Sequence, residues 1–381
     1  MEAELQKLLD KQRAFFRSHR TQSVDFRKAQ LRKLKDTLFK DLRRSAEVTV
    51  GVELARVLGA LDHALKNVDE WAKPTELPLC PLGRPLIRKQ PLGKNFPSEY
   101  FACVQGEVAV SEALTLLRWD HLFCTGSPRV GRLVMAAAAK NLVPVTLELG
   151  GKNPCIVLPD ADLEKVAESL IFGKWLNAGQ VCLMTDYVLL TEAGAERRLA
   201  AELKKQLEKT FTAHPKKSPQ FGRLINHTHF DRLQGLLNKT KGKVLYSSAD
   251  PNDRADNFVG PHVVSCQPDD VLMQEELFGP VLAIVNVRDL DAAIDFVNDR
   301  ERPLGVYVFS ADPKNVERVL NETTSGGVTV NGCVLHATSH ELPFGGVGNS
   351  GMGRCSGIYG FKTFTHEKPV MIAASKPKDG H

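Results

Sequence analysis

The chain has 381 residues, 43% hydrophobic and 25% charged, which is long enough for two or more domains and is the balance of an ordinary globular protein. No apolar run reaches the ~18 residues a membrane span needs, and the charged amino terminus is no signal peptide, so a soluble, cytoplasmic protein without a membrane anchor is expected. Net charge is +5, and residues 1–50 hold 13 Lys/Arg against 7 Asp/Glu. These charges alternate in sign around Leu31, Leu34, Leu38 and Leu42, which suits the solvated face of an amphipathic helix better than a nucleic-acid surface.

In chain order, the spacing predicts helices over 2–19, 25–44 and 50–71. Prolines at 74, 78, 81, 85 and 91 exclude a helix there, leaving residues 85–90 as an extended arm or edge strand. Strand 100–104, helix 108–119, strand 121–124, helix 128–140 and strand 143–149 then alternate with short connections. That is a parallel-sheet pattern, half of a doubly wound nucleotide-binding fold. A second alternating segment follows, with strands over 154–158, 186–190, 263–266, 281–287 and 305–309. Its helices are expected over 160–175, capped by Asp160 or Asp162, and over 193–213, 226–238, 289–299 and 313–322. Residues 215–219 read as a loop, 325–353 as glycine-rich and irregular, and 360–372 as a strand-like arm.

Eight cysteines are scattered without a CxxC pair, against both a zinc site and a disulfide framework. Cys103, Cys124 and Cys155 sit inside apolar runs and read as core thiols, whereas Cys182 follows the small and polar residues Asn177-Ala-Gly-Gln180. No metal is expected, since His227-Thr-His229 has no third ligand in view.

Four stretches can carry chemistry. Thr125-Gly126-Ser127-Pro128 lies at a strand-to-helix junction, with Ser127 a good cap and Pro128 suited to the first helical position, so free amides and the helix dipole can seat a phosphate; a merely well-capped helix is the alternative. Gly346-Val-Gly348-Asn-Ser-Gly351 matches GxGxxG in letters but not in context, because Pro343-Phe344 rather than a strand precedes it; it reads as a glycine-built loop. Cys182 is the candidate nucleophile, and Glu148, 34 positions earlier in the apolar Val145-Thr-Leu-Glu-Leu149, is the candidate base. Burial there would lift a carboxyl towards the range of general-base work. Glu275-Glu276 before Phe278-Gly279-Pro280 could hold ribose hydroxyls or be a solvated pair.

Together, Leu147-Glu-Leu-Gly-Gly-Lys-Asn-Pro154, Asn177-Ala-Gly-Gln-Val-Cys182, Phe123-Cys-Thr-Gly-Ser127, Gln274-Glu-Glu-Leu-Phe-Gly-Pro280 and Pro343-Phe-Gly-Gly346 resemble the motifs of aldehyde dehydrogenases. The likeness is nearest to the class 3-like branch and runs over nearly the whole chain. It implies an α/β fold of three parts: residues 1–149, N-terminal helices plus a truncated Rossmann-type nucleotide-binding domain on which 342–360 packs back; 150–341, the catalytic domain; and 82–92 with 361–373, a β-arm that pairs subunits into a homodimer. It implies oxidation of an aldehyde, fatty or aromatic, to an acid with NAD or NADP. Cys182 would form the thioester, its backbone N–H would supply half an oxyanion hole, and Glu148 would activate water. Gly126, Ser127 and Gly131 would lie along the cofactor's phosphates, Glu276 on the nicotinamide ribose and Phe278 beside the ring, with Phe344 and Asn331 lining the aldehyde pocket.

The likeness lapses between Gly93 and Lys94. Several dozen residues of the family pattern have no counterpart there, among them the first two strands of the nucleotide-binding sheet, an oxyanion-hole asparagine and a lysine of the adenosine ribose. Neither Lys94 nor Asn95 matches those motifs, and a shorter gap is expected near 35–44. The alternative is therefore a family member retaining only ester hydrolysis or a dimer-scaffold role.

Overall fold

The computed structural model describes residues 2–18, 23–26, 28–29, 55–73, 75–76, 83–91, 104 and 106–373. The strand expected over 100–104, most of the helix over 25–44 and the Gly93–Lys94 junction fall outside the described residues.

The centre of the molecule is a seven-stranded sheet in the order β11-β10-β5-β6-β9-β8-β7. Its strands are β5 (Asn153–Val157), β6 (Thr185–Leu190), β7 (Lys243–Ser247), β8 (His262–Ser265), β9 (Val281–Asn286), β10 (Gly305–Phe309) and β11 (Gly327–Val330). All neighbours pair parallel except β7 with β8. Helices cover both faces, so the inner strands read as unbroken apolar runs rather than alternating ones. Alternate residues still point opposite ways. Cys155, Val188 and Ile284 pack under α5 (Leu163–Trp175) and α6 (Ala195–Phe211). Ile156, Leu189 and Val285 pack under α7 (His227–Lys239), α8 (Leu290–Asn298) and α9 (Pro313–Glu322).

A second, three-stranded sheet runs β12-β4-β3, from β3 (Leu122–Gly126), β4 (Val145–Leu149) and β12 (Gly351–Met352). Helix α4 (Pro128–Ala139) connects β3 to its parallel neighbour β4. The antiparallel β12 comes from the glycine-rich segment, setting Gly351 opposite Glu148. That places the GxGxxG letters in a loop and edge strand, in keeping with the sequence reading.

The third sheet pairs β2 (Gly83–Pro91) antiparallel with β13 (Thr365–Ala373) over its full length. With the short β1 (Thr75–Glu76) on its other side, β2 is the central strand rather than an edge.

Most elements lie where the sequence predicts them; β11 forms inside the stretch expected to be irregular, and the further differences have physical reasons. The helix expected over 108–119 is α3 (Val108–Thr115), because the Trp119 indole turns back to donate to the Leu114 carbonyl at 2.6 Å. Residues 360–372 are not one strand, since α10 (Gly357–Thr363) precedes β13. Phe361 on that helix meets Trp71 of α2 (Ala55–Ala72) in a tilted ring contact, centres 5.8 Å apart. β7 carries no apolar alternation because it is a partly exposed edge strand. Asp162 alone caps α5, while Asp160 accepts the Ala311 and Asp312 amides and the Ser310 hydroxyl. At the amino terminus, α1 (Glu2–Arg17) matches the first expected helix.

Candidate active site

The second sheet, the nucleophile loop and the turn before β9 enclose one cleft of about 1590 Å³, above the usual size for a small-molecule site. Glu148, Cys182, Phe344, Gly126, Ser127, Glu276 and Phe278 all line it. Residues that lie up to 218 positions apart in the sequence thus share one wall system, which is what a site assembled by folding requires.

The loop carrying Cys182 is held in an unusual shape. After α5, Asn177 and Ala178 adopt left-handed conformations, φ 51° and 52°, and Gly179 follows at φ 78°. A side chain on Gly179 would meet the Gly279 carbonyl oxygen at 2.2 Å, so only glycine lets the loop touch the Phe278–Gly279 turn. Phe278 itself sits at φ 44°, and such backbone strain gathers where surroundings over-determine it. Gln180 locks the loop from below. Its amide donates to the Asn177 and Arg223 carbonyls, and its oxygen accepts the Ile225 amide. Asn153, fully buried, donates to the carbonyls of Cys182 at 2.8 Å and Met184 at 3.0 Å and accepts from the Gly305 amide at 2.9 Å. The nucleophile is thereby tied to two strands of the central sheet.

Glu148 is only 5% exposed, inside β4. Loss of water pushes its carboxyl up to about 7, against the smaller opposing effects of the Cys355 thiol and the Arg354 charge. The Cys355 Sγ donates to Oε1 at 3.5 Å, and Oε2 is buried without a hydrogen-bond partner among the described residues. A carboxyl so placed is half ionised near neutral pH, the condition for accepting a proton from water.

Three other thiols are held further from ionisation. Burial raises Cys124, raises Cys155 well above its ordinary value and pushes Cys266 up to about 12. Among the described residues, the cysteines lining the cleft are Cys182 and Cys355.

Glu276 leans over the Gly150-Gly151 turn. Its carboxylate would lie 2.0 Å from a Cβ on Gly150, so the glycine makes the room. Burial and the neighbouring Asp186 charge raise it to about 7, opposed by the Gly151 amide and by Lys174 and Lys152. Three side chains that the sequence reading left without a role hold this segment. Lys152 Nζ donates to Asp186 at 2.6 Å and to the carbonyls of Leu272 and Glu275. Asp186 in turn accepts the Leu277 amide on both oxygens, at 3.1 and 3.2 Å. Lys174 lies 3.5 Å from Asp186 and is wholly buried, which pushes its ammonium down to about 8 although Asp186 opposes the shift. Charged letters beside apolar runs were the available signal for Lys174 and Asp186, whereas Lys152 follows a glycine pair and carries no such mark.

Ser127 caps α4, accepting the Val130 amide, with Pro128 in the first turn as expected. Two other expected site residues have packing and hydrogen-bond partners of their own. Gly131 does not line the cleft; a Cβ there would strike Leu149 Cδ1 at 2.7 Å, so this glycine lets α4 pack closely on β4. Asn331 also lies off the cleft. Its amide pairs both ways with the Ser310 backbone, at 3.0 and 3.1 Å, and joins the end of β11 to β10.

The family model described as "Aldehyde dehydrogenase family" matches residues 86–370. Aldehyde dehydrogenase family 3 member A2 of Macaca fascicularis is 35% identical, covering 99% of this chain and 89% of its own. That alignment runs over 440 positions, 59 more than the 381 residues here, so at least that many positions of the relative face no residue of this chain. The rat "Aldehyde dehydrogenase, dimeric NADP-preferring" is 34% identical over 97% of this chain and 94% of its own. A solved structure titled as the substrate-bound state of Staphylococcus aureus AldH superposes with a TM-score of 0.92 at 31% identity, covering 99% of this chain and 95% of that one.

Proposed function

The chain belongs to the aldehyde dehydrogenase family and is an NAD(P)+-dependent enzyme that oxidises an aldehyde to a carboxylic acid; from that premise we propose which residues do the chemistry. One observation carries the assignment: a buried carboxyl, Glu148, displaced to about 7, shares a cleft with the Cys182 thiol on a loop fixed from three sides.

Cys182 attacks as its thiolate. The sulfur–carbon bond forms, the carbonyl electrons move to oxygen, and the Cys182 backbone N–H is the candidate donor to that oxygen. A bound NAD(P)+ would supply the hydride acceptor, and once the former aldehyde carbon has given up its hydride Cys182 holds the acyl group as a thioester. Glu148 then removes a proton from water as the water oxygen attacks, the carbon–sulfur bond breaks, and the thiolate returns.

The residues present fit a dinucleotide. Gly126 and Ser127 bring the amino end of α4 into the cleft, and Glu276 presents a carboxylate over a turn that a Cβ would fill. Glu276 is assigned to ribose hydroxyls, Phe278 to the ring's flank, and Phe344 to the aldehyde pocket. Phe344 shares that wall with Leu176 and Val181, which favours a fatty or aromatic aldehyde. We assign β2 and β13, with the exposed Met371 and Ile372, to an arm that joins two copies. The three sheets support the division into nucleotide-binding, catalytic and arm parts at the boundaries given above. A cytoplasmic location fits the described residues, none of whose helices is long and apolar enough to cross a membrane.

The shortfall of at least 59 positions against the macaque relative favours a second reading, ester hydrolysis without cofactor reduction. The two separate in one experiment. With an aromatic or long-chain aldehyde and NAD+ or NADP+, nucleotide reduction abolished by Cys182→Ala supports the dehydrogenase. Ester hydrolysis without any reduction supports the second reading. Reduction that survives Cys182→Ala refutes the assignment of the nucleophile.

A further inference from the structure

We infer that Cys355 is a positioning residue for the water-activating step: its thiol donates to Glu148 Oε1 and fixes the direction in which the carboxylate meets water. The inference rests on the assignment of Glu148 as base and adds a second cysteine of the cleft to the machinery, in a role different from that of Cys182.

The geometry is specific. Glu148 sits on β4 between Thr125 of β3 and Gly351 of β12, neither of which brings a charge. The groups that act on its carboxylate come instead from residues 354–355. There the chain turns through Gly353, at φ 85°, and Phe344 and Cys355 exchange backbone hydrogen bonds at 2.9 and 2.6 Å. This isolated bridge fixes the Cys355 backbone to the same residue that walls the aldehyde pocket. The thiol then reaches Oε1 at 3.5 Å, an ordinary length for a sulfur donor. Oε2, itself buried, has no donor among the described residues, so the carboxylate is held through one oxygen and the other is left without a partner.

A base held this way has one oxygen committed to the thiol and the other unclaimed, so the thiol sets which way the carboxylate is turned. The other groups acting on it are few. Arg354 adds positive charge, but its Nη1 is hydrogen-bonded to the Gly346 and Gly353 carbonyls. Cys182 and, beyond Gly150, Glu276 line the same cleft. The thiol is the side chain in direct hydrogen-bond contact with Glu148, and a donor to the charged form favours ionisation.

Replacing the thiol tests this in a graded way. Cys355→Ser keeps the size and strengthens the donor, whereas Cys355→Ala removes it. The Glu148 protonation midpoint, followed by infrared difference spectroscopy of the carboxyl band and assigned with Glu148→Gln, should fall in the serine variant and rise in the alanine variant. Each displacement should be about 0.5–1 pH unit. The acid limb of thioester or ester hydrolysis should move with it, with serine restoring the rate that alanine loses. Coincident midpoints in all three proteins would overturn the inference while leaving Glu148 as base. If Glu148→Gln hydrolyses as fast as the parent, the assignment of the base fails first. The spectroscopic readout needs no turnover, and matched thermal unfolding of the serine variant separates a positioning role from a lost fold.

Discussion

Glu148 makes the sharpest quantitative prediction because its function and its cost to the fold have one origin. The carboxyl ionises at 4.5 when unperturbed and at about 7 in the folded chain, chiefly through loss of water. The folded state therefore holds the proton more tightly than the unfolded state. Below pH 4.5 both states are protonated and the group contributes nothing; as pH rises towards 7 only the unfolded state releases the proton, so stability falls. Above 7 the penalty is complete, at about 3 kcal/mol for the displacement from 4.5. Glu148→Gln removes that titration. The stability difference between variant and parent, from urea unfolding, should grow in the variant's favour by up to about 1.4 kcal/mol per pH unit between pH 5 and 7 and then level off. Taking the difference across pH cancels the constant effect of the buried amide and the titration of Glu276, present in both proteins. The same variant should lose hydrolysis of the thioester, so stability and activity move in opposite directions. A difference that is flat with pH would show that Glu148 is not displaced, and the argument for it as a neutral-pH base would go with it.

Three other substitutions read the site's construction. Gly179→Ala puts a methyl 2.2 Å from the Gly279 carbonyl at a left-handed position, and should destabilise by more than about 2 kcal/mol and slow alkylation of Cys182, measured by urea unfolding and thiol labelling. Gly150→Ala meets the Glu276 carboxylate at 2.0 Å and should weaken nucleotide binding by roughly tenfold or more in calorimetry, a cost above about 1.4 kcal/mol, while thiol labelling stays normal. Asn331→Ala should leave KM for the aldehyde unchanged and lower stability by about 1–2 kcal/mol, because its amide serves the Ser310 backbone.

The alternation of the central sheet was plain in the sequence because both its faces are covered, which leaves long apolar runs such as Val281–Asn286 bounded by Pro280 and Arg288. Ser127 and Pro128 announced a helix start that the fold keeps. Cys182 and Glu148 stood out as a thiol among small residues and an acid among apolar ones. What linear reading could not supply was reach. Nothing near Glu148 in sequence announces Cys355, 207 positions on, and the network of Lys152, Lys174 and Asp186 exists only once β5, α5 and β6 are packed. Gly131 and Asn331 illustrate the same limit: no neighbour in sequence announces that Gly131 packs against Leu149 or that Asn331 pairs with the Ser310 backbone. The edge strand β7 escaped because partial exposure removes the apolar pattern that marks a buried strand.

The central claim is that Cys182 carries the acyl group and Glu148 releases it. Its most direct test is mass spectrometry of the Glu148→Gln protein, quenched after one turnover with aldehyde and NAD(P)+. The account predicts an acyl adduct on the peptide containing Cys182, slow to disappear, and none in a Cys182→Ala control. An adduct on Cys355, or acid released with no adduct on Cys182, would contradict it.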